Sequence, residues 1–401
     1  PAFIANRIGV FSIMAIFKMM QKHNLSIEAV DSITGPVSGR PKSATFRTSD
    51  LVGLDTLVKV ANGVGDNCPK DELKEWFAIP AFLEKMLENK WLGDKTGQGF
   101  YKKSKAADGS RVIEALNLET LEYGPKDSPR YDSIGKARKA NRLQSKLGIL
   151  YDGGDAAADF YVDIITSIAA YSSNRIPEIA DELYQIDDAL RAGFGWDVGP
   201  FETWDLIGFD KVLSNIEKAG YVVPQWITDF KAKGNSSFYK SEGGKRKYYN
   251  IASGIYEVIP GTEAFIVLDN FKSAEPVYTN KEATLHDIGD GVLCLEFHSK
   301  MNAIGSGTLS AINKSIEIAE NEGWKGLVIG NDAPNFSAGA NLAMMLMLAI
   351  EQEFDELNMV ISYFQKTVMR LRYSSVPVVI APHGLTLGGG CEMTLHSDAA
   401  V

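Results

Sequence analysis

Two short glycine-containing segments hold the residues best suited to chemistry. The first is Asn335-Phe336-Ser337-Ala338-Gly339-Ala340-Asn341, and the second is Gly384-Leu385-Thr386-Leu387-Gly388-Gly389-Gly390-Cys391-Glu392. Small residues ahead of a helix-prone stretch let backbone N–H groups approach a ligand oxygen without side-chain obstruction. Two such donors converging on one oxygen form an oxyanion hole, which stabilises the enolate of a thioester. Glu392, in a helix start just past the triple glycine, is placed to exchange a proton at a substrate carbon or with water. Either segment alone is an ordinary turn. The pair, in this order and each after a strand, is far more specific. No comparable case exists for a metal, because the five histidines are dispersed and Cys68, Cys294 and Cys391 stand far apart. Such cysteines form neither a disulfide framework nor a thiolate metal site, and they fit a reducing, cytoplasmic setting.

Strands must deliver these segments. Gly291-Val292-Leu293-Cys294-Leu295-Glu296-Phe297 reads as a buried strand, and 309–320 as an amphipathic helix. Gly326-Leu327-Val328-Ile329-Gly330 and Val376-Pro377-Val378-Val379-Ile380-Ala381 read as two further strands. This alternation predicts an α/β layer with crossover connections. Within 342–372, Met344, Met345, Met347, Met359 and Met369 read either as the lining of an acyl-chain pocket or, more ordinarily, as the core of a helix pair.

The first two-thirds of the chain is organised by an internal repeat. Phe46-Arg47-Thr48-Ser49-Asp50-Leu51-Val52-Gly53-Leu54-Asp55 returns as Phe201-Glu202-Thr203-Trp204-Asp205-Leu206-Ile207-Gly208-Phe209-Asp210. An acidic-apolar helical stretch stands ahead of each copy, at 26–33 and 180–190. A second shared element follows each, Gly99-Phe100-Tyr101-Lys102 and Ser237-Phe238-Tyr239-Lys240. Helices are expected over 8–20 and 156–170. Asp50 and Asp205 read as helix-start acids in a capping role. The charged, Pro-containing stretch 104–148 reads as an extended connector with one basic helix, and 231–283 as a second connector with short strand-like runs.

At 401 residues the chain exceeds one ordinary domain. Its net charge of −10 argues against general binding to nucleic acid or an anionic membrane surface. The longest apolar stretch, 342–350, is too short to cross a bilayer.

The repeat and the opening Pro1-Ala2-Phe3-Ile4-Ala5-Asn6-Arg7-Ile8 resemble the C-terminal helical domain of 3-hydroxyacyl-CoA dehydrogenases, present twice. The resemblance implies that Asn6 is the active-site Asn, close to the substrate's 3-hydroxyl and the catalytic His; Ala2 stands where that family has Gly. Residues 284–401 resemble the first half of the crotonase superfamily of enoyl-CoA hydratases and isomerases. That second resemblance implies oxyanion-hole N–H groups from Ala338 and Gly389, and Glu392 as the first of two catalytic glutamates. It also implies substrate or CoA contacts from Asn302, Ala303, Ala340 and Gly388, with Asn341 in place of a common Asp.

The expected architecture is multidomain, with two all-α dehydrogenase C-terminal-type helical domains followed by a partial α/β crotonase-like domain. The boundaries are 1–103 for the first helical domain, 104–148 for a connector, 149–230 for the second helical domain, 231–283 for another connector and 284–401 for the crotonase half. The order resembles bifunctional β-oxidation enzymes, of which this chain reads as an internal piece, inactive by itself. No Gly-x-Gly-x-x-Gly fingerprint follows a strand, so NAD is expected on a domain absent from the chain, with coenzyme A entering as part of the substrate. The implied partners are acyl-CoA thioesters, a second copy through the helical domains, and a thiolase. Double-bond isomerisation and a non-catalytic scaffold are the alternatives.

Overall fold

The computed structural model describes all residues except 1, 106–108, 141, 243, 264–265, 273–275 and 341, together with the side chains at 343 and 344. Asn341 and the Met344 side chain therefore lie outside the described residues. The chain divides into two compact units, Pro1–Lys240 with Lys247–Glu257, and Ser241–Arg246 with Val258–Val401.

In the first unit the helices Ile4–Lys22 and Ala156–Asn174 are buried on nearly every side, as helices at the middle of an assembly must be. They run antiparallel. Arg7 donates to the Tyr171 hydroxyl at 2.7 Å near one end, and Lys22 and His23 reach Asp163 at 2.6 and 2.7 Å near the other.

The repeated sequence builds the same clamp twice. Asp31 accepts the Thr45 and Phe46 N–H groups (3.0 and 2.8 Å) and the Tyr101 hydroxyl (2.8 Å). Asp187 accepts the Phe201 and Glu202 N–H groups (2.9 and 3.1 Å) and the Tyr239 hydroxyl (2.6 Å). Asp50 takes the Phe100 and Tyr101 N–H groups at 2.8 and 2.9 Å, and Asp205 takes those of Phe238 and Tyr239 at the same two distances. Phe46 meets Phe100 edge-on at 4.6 Å, as Phe201 meets Phe238 at 5.2 Å. Each motif helix, Phe46–Val52 or Pro200–Ile207, ends at a glycine with φ of 94° or 118°, which a side chain would strain.

Contrary to expectation, Asp50 and Asp205 do not cap helix starts; they sit late in their helices and fasten the beginning of a strand. The described elements of the first copy are helices up to Tyr101, and those of 149–230 are helices throughout. The strands follow each copy. Tyr101–Lys105, Arg111–Leu116 and Tyr123–Pro125 form an antiparallel sheet beside the first copy, and Tyr239–Glu242, Lys245–Asn250 and Ile255–Val258 form a second sheet in the stretch where short strand-like runs were expected. The stretch 104–148 thus supplies two strands and the helices Asp132–Lys139 and Leu143–Tyr151. The carboxylate clamp, which brings residues 100 and 101 to residue 50, is what makes a strand of so lysine-rich a sequence.

The second unit holds a six-stranded sheet. Val292–Phe297, Gly326–Ile329, Val378–Ile380 and Ala399–Ala400 run parallel, and Ala283–Asp287 and Tyr278–Thr279 add antiparallel neighbours at one side. Helix Ser306–Asn321 buries Leu309, Ile312, Ile316 and Ala319, one helical stripe, in the same core as Leu293, Leu295, Leu327 and Ile380. The methionine-bearing segment forms the helices Leu342–Ile350 and Phe354–Arg372, but Met347, Met359 and Met369 are exposed rather than part of a core. Among the described residues no helix is long and apolar enough to cross a membrane.

Phe46 and Phe201 are each 0% exposed. Truncating either to Ala should cost about 3–5 kcal/mol in denaturant unfolding; a loss under about 1 kcal/mol at one site would mean the two positions are not equivalent. Burial pushes Asp31 and Asp50 up to about 6, against the backbone hydrogen bonds that lower them. An unfolded aspartate titrates near about 3.9. Between about pH 4 and 6 the folded state therefore holds the extra proton, and this contribution to stability declines as pH rises. Asp31→Asn does not titrate, so the parent's melting temperature minus the variant's should shrink from pH 4 to pH 7. A constant difference would show that Asp31 does not titrate in that range.

Candidate active site

Neighbouring parallel strands carry the two glycine segments side by side. Gly326–Ile329 and Val378–Ile380 pair with Leu327 opposite Val378 and Ile329 opposite Ile380. The pairing continues beyond the strand ends: Phe336 N–H to His383 O (2.9 Å), Ser337 N–H to Leu385 O (3.0 Å) and Leu387 N–H to Ser337 O (3.0 Å). The Asn335 side-chain oxygen accepts the Leu385 N–H at 2.8 Å. A Cβ on Gly339 would stand 2.9 Å from the Leu387 oxygen, so the two backbones touch with no room for a side chain.

This lacing decides which amides are free. Ala338, expected as a donor to the oxyanion, already donates to the Met301 carbonyl at 3.2 Å. The Gly339 N–H donates to the Ser337 hydroxyl at 3.1 Å. Gly339 then turns with φ 90°, and the next amide, Ala340, has no acceptor among the described residues. Gly389 opens the helix Gly389–Leu395, behind Gly388 at φ 47° and ψ −119°. Its N–H also lacks an acceptor among the described residues, as first-turn amides commonly do. The available pair is therefore Ala340 and Gly389, not Ala338 and Gly389.

Glu392 follows Gly389 by three residues, on the same helix face. Its side chain is exposed and has no hydrogen-bonded or ion-paired partner among the described residues. Under Gly389 lies an apolar wall. A Cβ there would come within 2.9 Å of the Phe364 ring and 3.0 Å of Ile304.

Asn302, expected to contact CoA, is 3% exposed, and its side-chain amide donates to the Asn335 carbonyl at 3.0 Å. Its own carbonyl accepts the buried Ser337 hydroxyl at 2.7 Å. Its side chain thus acts as a strut beneath the segments. Ala303 is half-buried, and Ile304 beyond it bridges to Ala340. Ser337 and Asn335 were not singled out by sequence, although a Ser and an Asn within so short a glycine segment are the residues that can tie it down. A glycine between two alanines was also a usable signal, since the free amide is to be sought after the turn.

Asn6 belongs to the other unit. It stands in the first turn of Ile4–Lys22, half-buried, its side chain without a hydrogen-bond partner among the described residues. Ala2, where the resembling family has Gly, adopts φ 68°. Arg7 is wholly buried and donates to the Tyr171 hydroxyl, Cys68 and Asp71, each at 2.7 Å, and to Glu178 at 2.9 Å.

Residues 3–103 match the family described as 3-hydroxyacyl-CoA dehydrogenase, C-terminal domain, and residues 287–401 match the family Enoyl-CoA hydratase/isomerase. A Bacillus subtilis (strain 168) protein named "Probable 3-hydroxyacyl-CoA dehydrogenase" is 44% identical over 396 residues, covering 98% of this chain and 49% of that protein. A Rickettsia prowazekii (strain Madrid E) protein named "Putative fatty acid oxidation complex trifunctional enzyme" is 26% identical over 407 residues, covering 100% of this chain and 51% of that protein. A crystal structure of an enoyl-CoA hydratase/isomerase from Xanthobacter autotrophicus Py2 matches 30% of this chain and 46% of its own, with 26% identity and a TM-score of 0.28. The chain spans about half the length of the curated relatives it matches. It carries a helical 3-hydroxyacyl-CoA dehydrogenase C-terminal domain followed by a crotonase-like α/β domain, and is homologous to the 3-hydroxyacyl-CoA dehydrogenases and trifunctional enzymes of fatty-acid oxidation.

Proposed function

We propose that this chain serves fatty-acid β-oxidation, within an enzyme that hydrates trans-2-enoyl-CoA and oxidises the resulting (S)-3-hydroxyacyl-CoA with NAD. The observation that carries the reading is the pair of unclaimed amides at Ala340 and Gly389, on backbones that touch at Gly339 and Leu387. A thioester oxygen accepting from both would be stabilised as it gains charge. Glu392, one turn on, would exchange the proton with water or the substrate carbon. Double-bond isomerisation is the second reading, since it needs one carboxylate and Glu392 is the one this helix brings to the amide pair.

Asn6 would lie near the substrate's 3-hydroxyl in the oxidation, and 149–230 would be a second copy of the helical domain. Among the described residues no loop fits the pyrophosphate of NAD. Gly305-Ser306-Gly307, at the turn between a strand and the helix Ser306–Asn321, comes nearest to a dinucleotide loop. A Glu282 carboxylate oxygen already occupies that helix start, 2.8 Å from the Thr308 N–H. We accordingly propose that the chain alone does not oxidise 3-hydroxyacyl-CoA; its inactivity in hydration rests on the family resemblance, which calls for a second catalytic glutamate. The homodimer and the thiolase that would consume the 3-oxoacyl product rest on the family resemblance alone, and the cytoplasmic setting on the free, dispersed cysteines.

In an enzyme that contains this chain and carries both activities, Glu392→Gln should slow crotonyl-CoA hydration by about 10²–10⁴-fold, with little change in CoA-ester binding. Hydration at the parent rate would reduce Glu392 to a helix-start residue. Asn6→Ala should lower oxidation of supplied 3-hydroxyacyl-CoA and leave hydration unchanged; equal loss of both activities would remove the support for its assigned role.

A further inference from the structure

A cavity of about 670 Å³ opens in the N-terminal unit among helix Ile27–Ile33, the start of Phe46–Val52, strand Tyr101–Lys105 and the segment 126–130. Seven Lys or Arg and four Asp or Glu side chains line it, an excess of three positive charges in a chain whose net charge is −10.

The acids are already engaged. Asp94 is held by both terminal nitrogens of Arg47, and Asp31 is turned inward to Thr45, Phe46 and Tyr101. Glu28 accepts the Asp127 N–H at 3.0 Å, and Asp127 accepts the Ser128 N–H at 2.7 Å. The cations are not matched in the same way. Lys42, Lys103, Arg130 and Arg138 make no hydrogen bond or ion pair to the described residues, although the Lys103 charge lies close enough to help lower the Asp94 carboxyl. Lys126 stands 5.1 Å over the Tyr101 ring and Lys102 stands 5.3 Å over the Tyr123 ring. The four unpaired cations come from a turn, a strand, an extended segment and the helix Asp132–Lys139, so folding gathers them; no local charge run does.

Like charges gathered around a concave wall repel one another and focus a positive potential that a bound anion relieves. Lys and Arg together suit phosphoryl oxygens, Arg through its planar fork and Lys as a point charge. The volume lies within the range of about 300–1,000 Å³ usual for small-ligand sites. Half-exposed Ile113 gives the cavity an apolar wall against which a base or ring can lie.

We propose that this cavity binds a nucleotide bearing at least two phosphoryl groups, at a site separate from the amide pair of Ala340 and Gly389. The inference does not depend on the reaction proposed above. Coenzyme A and free nucleoside diphosphates share this chemistry, and coenzyme A adds a 3′-phosphate.

Titration calorimetry of the whole chain at low salt, with ADP in one arm and coenzyme A in the other, tests it. Saturable binding of at least one is expected. The double variant Lys42→Ala/Arg130→Ala and the charge reversal Lys103→Glu should each weaken that binding about tenfold or more, equivalent to about 1.4 kcal/mol. Lys325→Ala, in the other unit, should not. Raising salt towards about 1 M, where the screening length falls to about 3 Å, should weaken binding as well. Coenzyme A binding more tightly than 3′-dephospho-coenzyme A would show that the 3′-phosphate is read, and equal binding of these two and ADP would show a general nucleoside diphosphate site. The proposal is overturned if neither ligand saturates, or if the variants, melting like the parent, bind as the parent does. In that last case any coenzyme A affinity belongs to another site.

Discussion

A guanidinium shut off from water governs the N-terminal unit. Arg7 is 0% exposed, and its nitrogens reach Tyr171, Cys68, Asp71 and Glu178. Asp71 also accepts the Tyr171 hydroxyl at 2.6 Å and pairs with Arg175 at 3.2 Å. Breaking such a buried set by removing one member leaves an uncompensated charge, typically at a cost of about 3–5 kcal/mol. The cluster therefore tolerates one arrangement of the helices that feed it. Because Arg7 follows Asn6, the turn carrying Asn6 is held by groups from the second copy of the repeat, more than 160 residues away. The Phe11 ring stacked 3.7 Å over Tyr171, and the tight approach of Gly9 to Phe194, keep the same helix from sliding.

The C-terminal unit presents main-chain groups instead. Its candidate donors are backbone amides, which no rotamer can aim, so their direction depends on how two loops are sewn together. Asn335, Ser337 and Asn302 do the sewing from below, while Gly339 and Gly388 permit contact and reversal above. A site built this way is organised before a substrate arrives, which is the condition for electrostatic stabilisation of a developing charge.

What could be read in the sequence follows from how local each interaction is. The repeat, the parallel strands and the stripe of helix Ser306–Asn321 are local patterns, and they are legible as such. The clamps of Asp50 and Asp205 join residues 50 and 33 positions apart, so in sequence alone the acids read as caps and the sheet beside the first copy reads as connector. The choice between Ala338 and Ala340 turned on the Met301 carbonyl, which no spacing rule reveals. Methionines in a helical pattern read naturally as core, yet the helices Leu342–Ile350 and Phe354–Arg372 leave several of them exposed. The basic cavity draws on four distant stretches and had no signature in any one of them.

The antiparallel pairing of Ile4–Lys22 with Ala156–Asn174 has one more consequence. The two helices belong to a single polypeptide, so their mutual concentration is set by the tether rather than by how much protein is present. Dilution cannot separate them. The tether also frees the pair from being identical. One helix begins with Ile4-Ala5-Asn6 and the other with Ala156-Ala157-Ala158, so only the first presents a polar amide in its opening turn. A helix whose counterpart is always present can be shaped entirely for packing against it.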